Sequence, residues 1–309
     1  MGVPAVATDV DAEVVGPRPR WRRDWPLALL LLAPSIAVFG VFVFYPLVRT
    51  FQLGLYRSDP FGGLGNYIGI EQYRDVFASE SFRRSLWITV KFAMLTVPTG
   101  LALGLGLAVL AHRELRGIRI YRTIFSSTVA TSVAVASLMW YTLLNPSIGL
   151  VNQALELAGQ DRIQFLQSEG WALLSVSMTT VWQNLGFTFI VISAGLQSVP
   201  DELLESARID GAGGWSRFWN VTFPLLTPTL LFAFVVLSIN AFQTFGQIDL
   251  LTQGGPLHST EVLVYSVFQA ARGGDPSRAA AEAVALFGIM LVLTIVQLRV
   301  LERRVHYGD

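Results

Sequence analysis

Apolar stretches of about 20 residues with almost no charge recur along this 309-residue chain, and no other feature limits its fold as tightly. Each is long enough to cross about 30 Å of hydrocarbon as a helix. Hydrocarbon offers no water to satisfy a backbone N–H or C=O, so a segment within it must be helical or belong to a closed barrel. Short strands of alternating hydrophobicity are absent from the sequence, which argues against the barrel. The chain is 52% hydrophobic and 14% charged, with a mean hydropathy of +0.51, more apolar surface than a soluble globule buries. The expected class is an all-α polytopic membrane protein.

Six spans are expected, at about 25–45, 85–111, 123–144, 171–196, 225–245 and 279–300. Residues 1–24 carry Pro17, Pro19 and four arginines and read as a disordered cytoplasmic tail; 306–309 form a short C-terminal tail. The apolar core of the first run is too long for a cleaved signal, and no small-residue cleavage site follows it. Gly100 and Gly104 stand in a GxxxG spacing that lets another helix approach closely. The third run is rich in Ser, Thr and Ala and suits packing among helices.

Arginines set the orientation. Of 22 basic residues, all but Lys91 are arginine; with the amino terminus inside, the inner segments hold thirteen of them and the outer loops eight. The bias is sharpest beside the ends of the runs, where the positive-inside rule acts. Both termini and the polar segment 197–224 are then expected in the cytoplasm.

Composition also removes several function classes. A net charge of zero implies no nucleic-acid partner, and the lack of cysteine excludes disulfides and thiolate chemistry. No metal site is expected. The three histidines, His112, His258 and His306, fall outside the runs, against a membrane-embedded enzyme. No carbonyl-type selectivity string marks an ion channel.

The segment 205–228, ESARIDGAGGWSRFWNVTFPLLTP, lies between the fourth and fifth runs. Asp201 and Glu202 open a helix where its dipole favours negative charge. Gly211, Gly213 and Gly214 interrupt it, Trp215–Val221 suit a second short helix, and Pro224 and Pro228 punctuate entry into the next span. By periodicity alone this is a helix, a bend and a helix at the membrane surface, readable also as an interfacial hairpin anchored by Trp215, Phe218 and Trp219.

The string Glu205, Ser206, Ala207, Asp210, Gly211, Ala212, then Phe218, Pro224 and Pro228, closely resembles the EAA loop of importer-type ABC permeases, with Ser206 where that pattern usually has Ala. Thr244–Pro256, TFGQIDLLTQGGP, and the segment through Ala271 resemble the first permease subunit of the carbohydrate-uptake group, to which maltose-type systems belong. SDPFG (58–62) and 293–305 look closest to the first permease subunit of sn-glycerol-3-phosphate importers. The resemblance implies an importer-type ABC permease fold over 25–305 and a cytoplasmic coupling helix seated in a nucleotide-binding subunit. It also implies a second permease subunit, two ATP-binding subunits and an extracytoplasmic solute-binding protein. The chain lacks the GxxxxGK[ST] phosphate loop, so no cofactor is expected in it, and ATP and Mg would be bound by the partners. The implied cargo is glycerol 3-phosphate or a glycerophosphodiester, or alternatively a di- or oligosaccharide.

Polar side chains inside spans are costly and commonly face a cavity or another helix. Asn240, Gln243 and Gln247, with Thr244 beside them, are expected on one face of the fifth span. Gln183, Asn184 and Thr188 form a second cluster on the fourth. Both sets are candidates for the solute pathway, as is Lys91, which alternatively snorkels to the surface. Interhelical hydrogen bonding is the competing reading of the two clusters.

Overall fold

The computed structural model describes residues 21–59, 63–112 and 117–301, which form two units, up to Arg49 and from Thr50 onward. The C-terminal tail and most of the expected N-terminal tail lie outside the described residues, and a helix already begins inside the latter, at Trp21.

The first unit is a helical rod: α1 (Trp21–Phe39), a π turn at Gly40–Phe44, and the start of α2 (Tyr45–Leu53). Within the apolar stretch Ala28–Leu53 no residue of its most apolar 18-residue window is buried. The π turn ends where Tyr45 N–H donates to the Gly40 carbonyl, immediately before Pro46. A proline inside a helix lacks a donor and crowds the carbonyl one turn back; widening the preceding turn is one way to absorb it.

The second unit begins with a hairpin, β1 (Tyr56–Ser58) against β2 (Leu64–Tyr67), antiparallel. Short α3 (Glu71–Ala78) leads to the 32-residue α4 (Glu80–Ala111), which Ser79 caps by accepting from Phe82 N–H. Then come α5 (Ile118–Ser126), a 3₁₀ turn at Ser127–Ala130, α6 (Val133–Leu143), α7 (Leu150–Leu157) and the 29-residue α8 (Glu169–Gln197). After α9 (Asp201–Ile209) and α10 (Gly214–Arg217), a second π turn at Phe218–Thr222 enters α11 (Phe223–Phe242). The chain closes with α12 (Gly246–Leu251), α13 (Leu263–Arg272) and α14 (Pro276–Leu301).

Helices α4, α8 and α11 form the core. At one end Phe92 and Val97 of α4 meet Val176 of α8 and Leu237 of α11, joined by Ile248 and Val262. At the other end Ala108 of α4 packs with Ile192 of α8 and Leu226 of α11. Between helices in lipid there is little hydrophobic drive, and close van der Waals approach replaces it. Glycine supplies that approach. A Cβ on Gly104 would meet Thr188 at 2.4 Å, and one on Gly195 would meet Thr229 at 2.6 Å. The GxxxG expectation is met in this form, with both Gly100 and Gly104 buried. Hydroxyls in the core are satisfied by carbonyls of the preceding turn, as in Thr89 to Ser85 and Thr96 to Phe92.

Two sequence expectations need correction. The third span is not one straight helix: Ile118–Ala130 and Val133–Leu143 meet at 106°. Thr131 and Ser132 are extended, and Ser132 caps α6 by accepting from Val135 N–H. Clustered Ser and Thr offer such local bonds in competition with the helix. The second short helix at Trp215 is not separate either, because Gly214–Phe242 runs continuously for 29 residues. Its π turn closes with Phe223 N–H on the Phe218 carbonyl, directly before Pro224. Among the described residues four helices are long and apolar enough to cross a membrane, or five if the bent pair counts as one span. Helix α8 stays outside that set, its apolarity diluted by Gln183, Asn184 and several hydroxyls.

Charged groups cluster where the loops meet α14. Fully buried Glu282 accepts from Arg278 Nε at 2.9 Å and from the Ser266 hydroxyl at 2.8 Å, and Arg278 reaches Ser81. Asp275 takes the Ser58 hydroxyl at 2.7 Å, fastening the hairpin to the start of α14.

Candidate coupling loop and solute pathway

Helix α9 opens after Pro200, whose extended backbone ends the turn from α8, and carries Asp201 and Glu202 in its first turn. It is closed by a left-handed residue, Gly211, at φ +79°. Ala212 N–H donates to the Ala207 carbonyl at 2.9 Å, and Gly211 N–H to the Arg208 carbonyl at 3.0 Å. This pair of bonds is the Schellman closure, and glycine takes its left-handed position without steric cost. Gly213 is extended and admits α10.

The resulting bend presents one surface. Glu205, Ser206, Asp210 and Gly211 are exposed, while Ala207, Ala212 and Phe218 are half-buried. The Glu205 carboxylate has no hydrogen-bond or ion-pair partner among the described residues. Ile209 is 86% and Trp215 76% exposed, so an apolar pair flanks the acidic groups. The composition of the EAA-like string did not single out these two as contact residues; the signal for Ile209 was a branched apolar side chain in the last turn of an otherwise polar helix. Behind the bend an aromatic stack stiffens the entry to α11: Trp219 lies 5.7 Å from Trp215, 5.2 Å from Phe218 and 4.9 Å from Phe223. The loop thus has a rigid bend and an exposed amphipathic face, and its ends run directly into α8 and α11.

The polar residues of the spans separate into three groups. Gln247 Nε2 donates to Gln183 Oε1 at 2.8 Å, and Gln183 Nε2 reaches the Thr131 carbonyl at 3.5 Å. With Thr128 accepting from Gly186 N–H at 2.8 Å, these bonds tie α8 and α12 to the break between α5 and α6. Thr188 is fully buried against Gly104, its hydroxyl on the Asn184 carbonyl; Asn184 in turn donates to the Thr180 carbonyl and edges a crevice of about 10 Å³. Asn240 and Gln243, by contrast, are exposed. The expected single face fails for Gln247, because α11 ends at Phe242 with Gln243 as its cap and Gln247 belongs to α12. Thr244 is buried, bonded to the Asn240 carbonyl. Lys91 is exposed, with its ammonium 5.4 Å from the ring centroid of Trp87. No group of metal-ligating side chains occurs among the described residues.

The chain is thus a bundle of long apolar helices with an exposed amphipathic bend between two of its core helices. The chain belongs to the family of binding-protein-dependent transport system inner membrane components, which it matches over residues 100–307. It is 38% identical over 284 residues to the sn-glycerol-3-phosphate transport system permease protein UgpA of Agrobacterium fabrum, covering 91% of this chain and 97% of that protein. Its identity to the UgpA protein of Yersinia enterocolitica is 35% over 292 residues, covering 94% and 98%. Among solved structures it is similar to a chain of a bacterial ABC transporter involved in the import of the acidic polysaccharide alginate, with TM-score 0.80, 26% identity and coverage of 91% and 96%. A second structure, in complex with an alginate pentasaccharide-bound periplasmic protein, gives TM-score 0.81.

Proposed function

We propose that this chain is one of two transmembrane subunits of an ATP-driven importer for sn-glycerol 3-phosphate or glycerophosphodiesters. A second permease subunit, two ATP-binding subunits and an extracytoplasmic solute-binding protein complete it. The observation that carries the reading is the exposed α9–Gly211–α10 bend, joined directly to two core helices, in a chain of the binding-protein-dependent family. The cargo is supported by the named relatives at 35–38% identity over nearly their full length.

In this reading Glu205, Ser206, Ala207, Asp210, Gly211, Ala212 and Phe218 form the contact with an ATPase subunit, Ile209 and Trp215 supplying its apolar part. When the ATPases close on ATP and Mg, the bend moves as one body and carries the ends of α8 and α11 with it. This is coupling through a two-state element. Asn240 and Gln243, exposed within this chain, and the half-buried Gln183 and Asn184 are candidates to face solute at the seam with the second permease; Lys91 is a candidate for its phosphate. Thirteen inner arginines support six spans within 25–305 and cytoplasmic tails at both ends.

The alginate importer chains favour a second reading, a saccharide cargo. Titration of the cognate binding protein with glycerol 3-phosphate, glycerophosphodiesters and disaccharides separates the two. The expected result is tight binding of a glycerophosphate compound; tight disaccharide binding with no response to the glycerophosphates would overturn the preferred cargo and leave the transport role standing.

A further inference from the structure

Where α4 ends, α5 and the last turns of α8 line a half-open cavity of about 330 Å³. We propose that it holds the headgroup and first acyl carbons of an anionic phospholipid from the cytoplasmic leaflet. The leaflet assignment rests on the orientation given above.

The cavity is built for an amphipathic anion. Its walls are apolar where Ala108, Phe189, Ile190 and Ala194 line it, and its rim carries Arg122. That guanidinium is held in place: Nε and Nη2 donate to the Ala111 carbonyl at 3.1 and 2.8 Å, satisfying an orphan acceptor at the end of α4. Its Nη1 makes no hydrogen bond among the described residues. Ser193 also lines the cavity, and its buried hydroxyl has no hydrogen-bond partner among the described residues.

The surroundings place this site at the membrane surface. Ile120, Tyr121 and Ile124 of α5 are 56–66% exposed and stand beside Arg119 and Arg122, so apolar and cationic groups share this end of the bent pair. In sequence, residues 112–122 hold four arginines against one glutamate. Basic clusters beside the cytoplasmic ends of spans select anionic lipid headgroups. A free phosphate ion would use the cations alone, leaving the apolar walls without an occupant.

The position gives the lipid a consequence. Gln197, which also lines the cavity, is the last residue of α8, four positions before the coupling helix begins. An occupied cavity braces the α4–α8 junction from which that helix springs.

The test uses the assembled importer in nanodiscs of phosphatidylcholine, with and without phosphatidylglycerol. Thermal midpoint and retained lipid by mass spectrometry are the readouts. Phosphatidylglycerol is expected to raise the midpoint by on the order of 5 °C and to be retained through delipidation. Ala194→Phe, on the exposed side of α8, obstructs the cavity; it should abolish both effects while its midpoint in phosphatidylcholine stays within about 1 °C of the parent. Arg122→Gln should reduce the gain at least by half. The proposal fails if phosphatidylglycerol gives no gain, if Ala194→Phe keeps it, if inorganic phosphate reproduces it, or if an Ala194→Cys probe crosslinks to the second permease.

Discussion

Gly211 shows how far a single residue can be separated into backbone and surface roles. Its φ of +79° demands glycine or asparagine, yet a Cβ there would meet nothing within 4 Å. Within this chain its requirement is conformational alone, and any steric requirement must come from a partner. Gly211→Asn, which tolerates the left-handed region, is expected to keep solute-stimulated ATPase activity in the assembled complex near the parent. Gly211→Trp should abolish it with membrane insertion unchanged; uptake at the parent rate by the Trp variant would remove the cleft contact. Gly104 is the opposite case, since its Cβ alone would overlap Thr188. Gly104→Leu should destabilise the bundle by about 1–3 kcal/mol, seen as a lowered thermal midpoint in detergent. In the last turn of α7, Glu156 accepts from Nη2 of Arg162, which lies in the loop that follows, at 3.1 Å, and the Arg162 hydrogen bond holds its carboxyl below the ordinary 4.5. A depressed folded value means the pair contributes above 4.5 and is lost as pH falls through the lowered value. Proteolytic susceptibility of this loop should therefore rise only in that acid range, and Glu156→Gln should remove the pH dependence.

At the scale of elements, two π turns stand in equivalent places, Gly40–Phe44 before Tyr45–Pro46 and Phe218–Thr222 before Phe223–Pro224. In both an aromatic residue donates five residues back, and the proline that follows is carried without ending the helix. Reading Pro224 as punctuation was sound for its missing donor but not for the outcome, because the wider turn upstream is invisible to residue-type preference. The bend between α5 and α6 escaped notice for a related reason: its Ser and Thr residues are compatible with a span in composition, and only their bonds to α8 show that they leave the helix. The lengths of α4 and α14, the exposed bend of 205–212 and the glycine contacts were legible, since apolar run length and glycine spacing act locally. Which polar side chains pair across helices was not, because pairing depends on the crossing of elements distant in sequence. The Gln183–Gln247 bond makes this testable. Gln183→Leu leaves the amide of buried Gln247 without its acceptor and frees the Thr131 carbonyl, a cost of about 1–3 kcal/mol. The double change Gln183→Leu, Gln247→Leu should recover part of that loss, whereas additive loss in the double variant would show that the two side chains are not coupled.

For the whole molecule the open question is whether α8 crosses the bilayer, because its composition alone does not qualify it. Its surroundings do supply a reason. Helix α8 packs against α4, α11, α5 and α6, and Gln183, Asn184, Thr180 and Thr188 all have hydrogen-bond partners inside the protein. A polar helix is tolerated at membrane depth when protein rather than lipid surrounds it and its polar groups are paired. Crossing by α8 puts the loop before it and the coupling bend after it on opposite sides of the membrane; without that crossing they share a side and α9 could not meet a cytoplasmic ATPase while Asp161 faced outward. The absence of cysteine makes the distinction clean, since a single introduced thiol is the only one in the chain. Asp161→Cys, in an exposed loop, should react with a membrane-impermeant maleimide in intact spheroplasts. Glu202→Cys, exposed on α9, should react only after permeabilisation. Equal labelling of both before permeabilisation would show that α8 does not cross, and with it the six-span layout and the cytoplasmic position of the coupling bend would fall together.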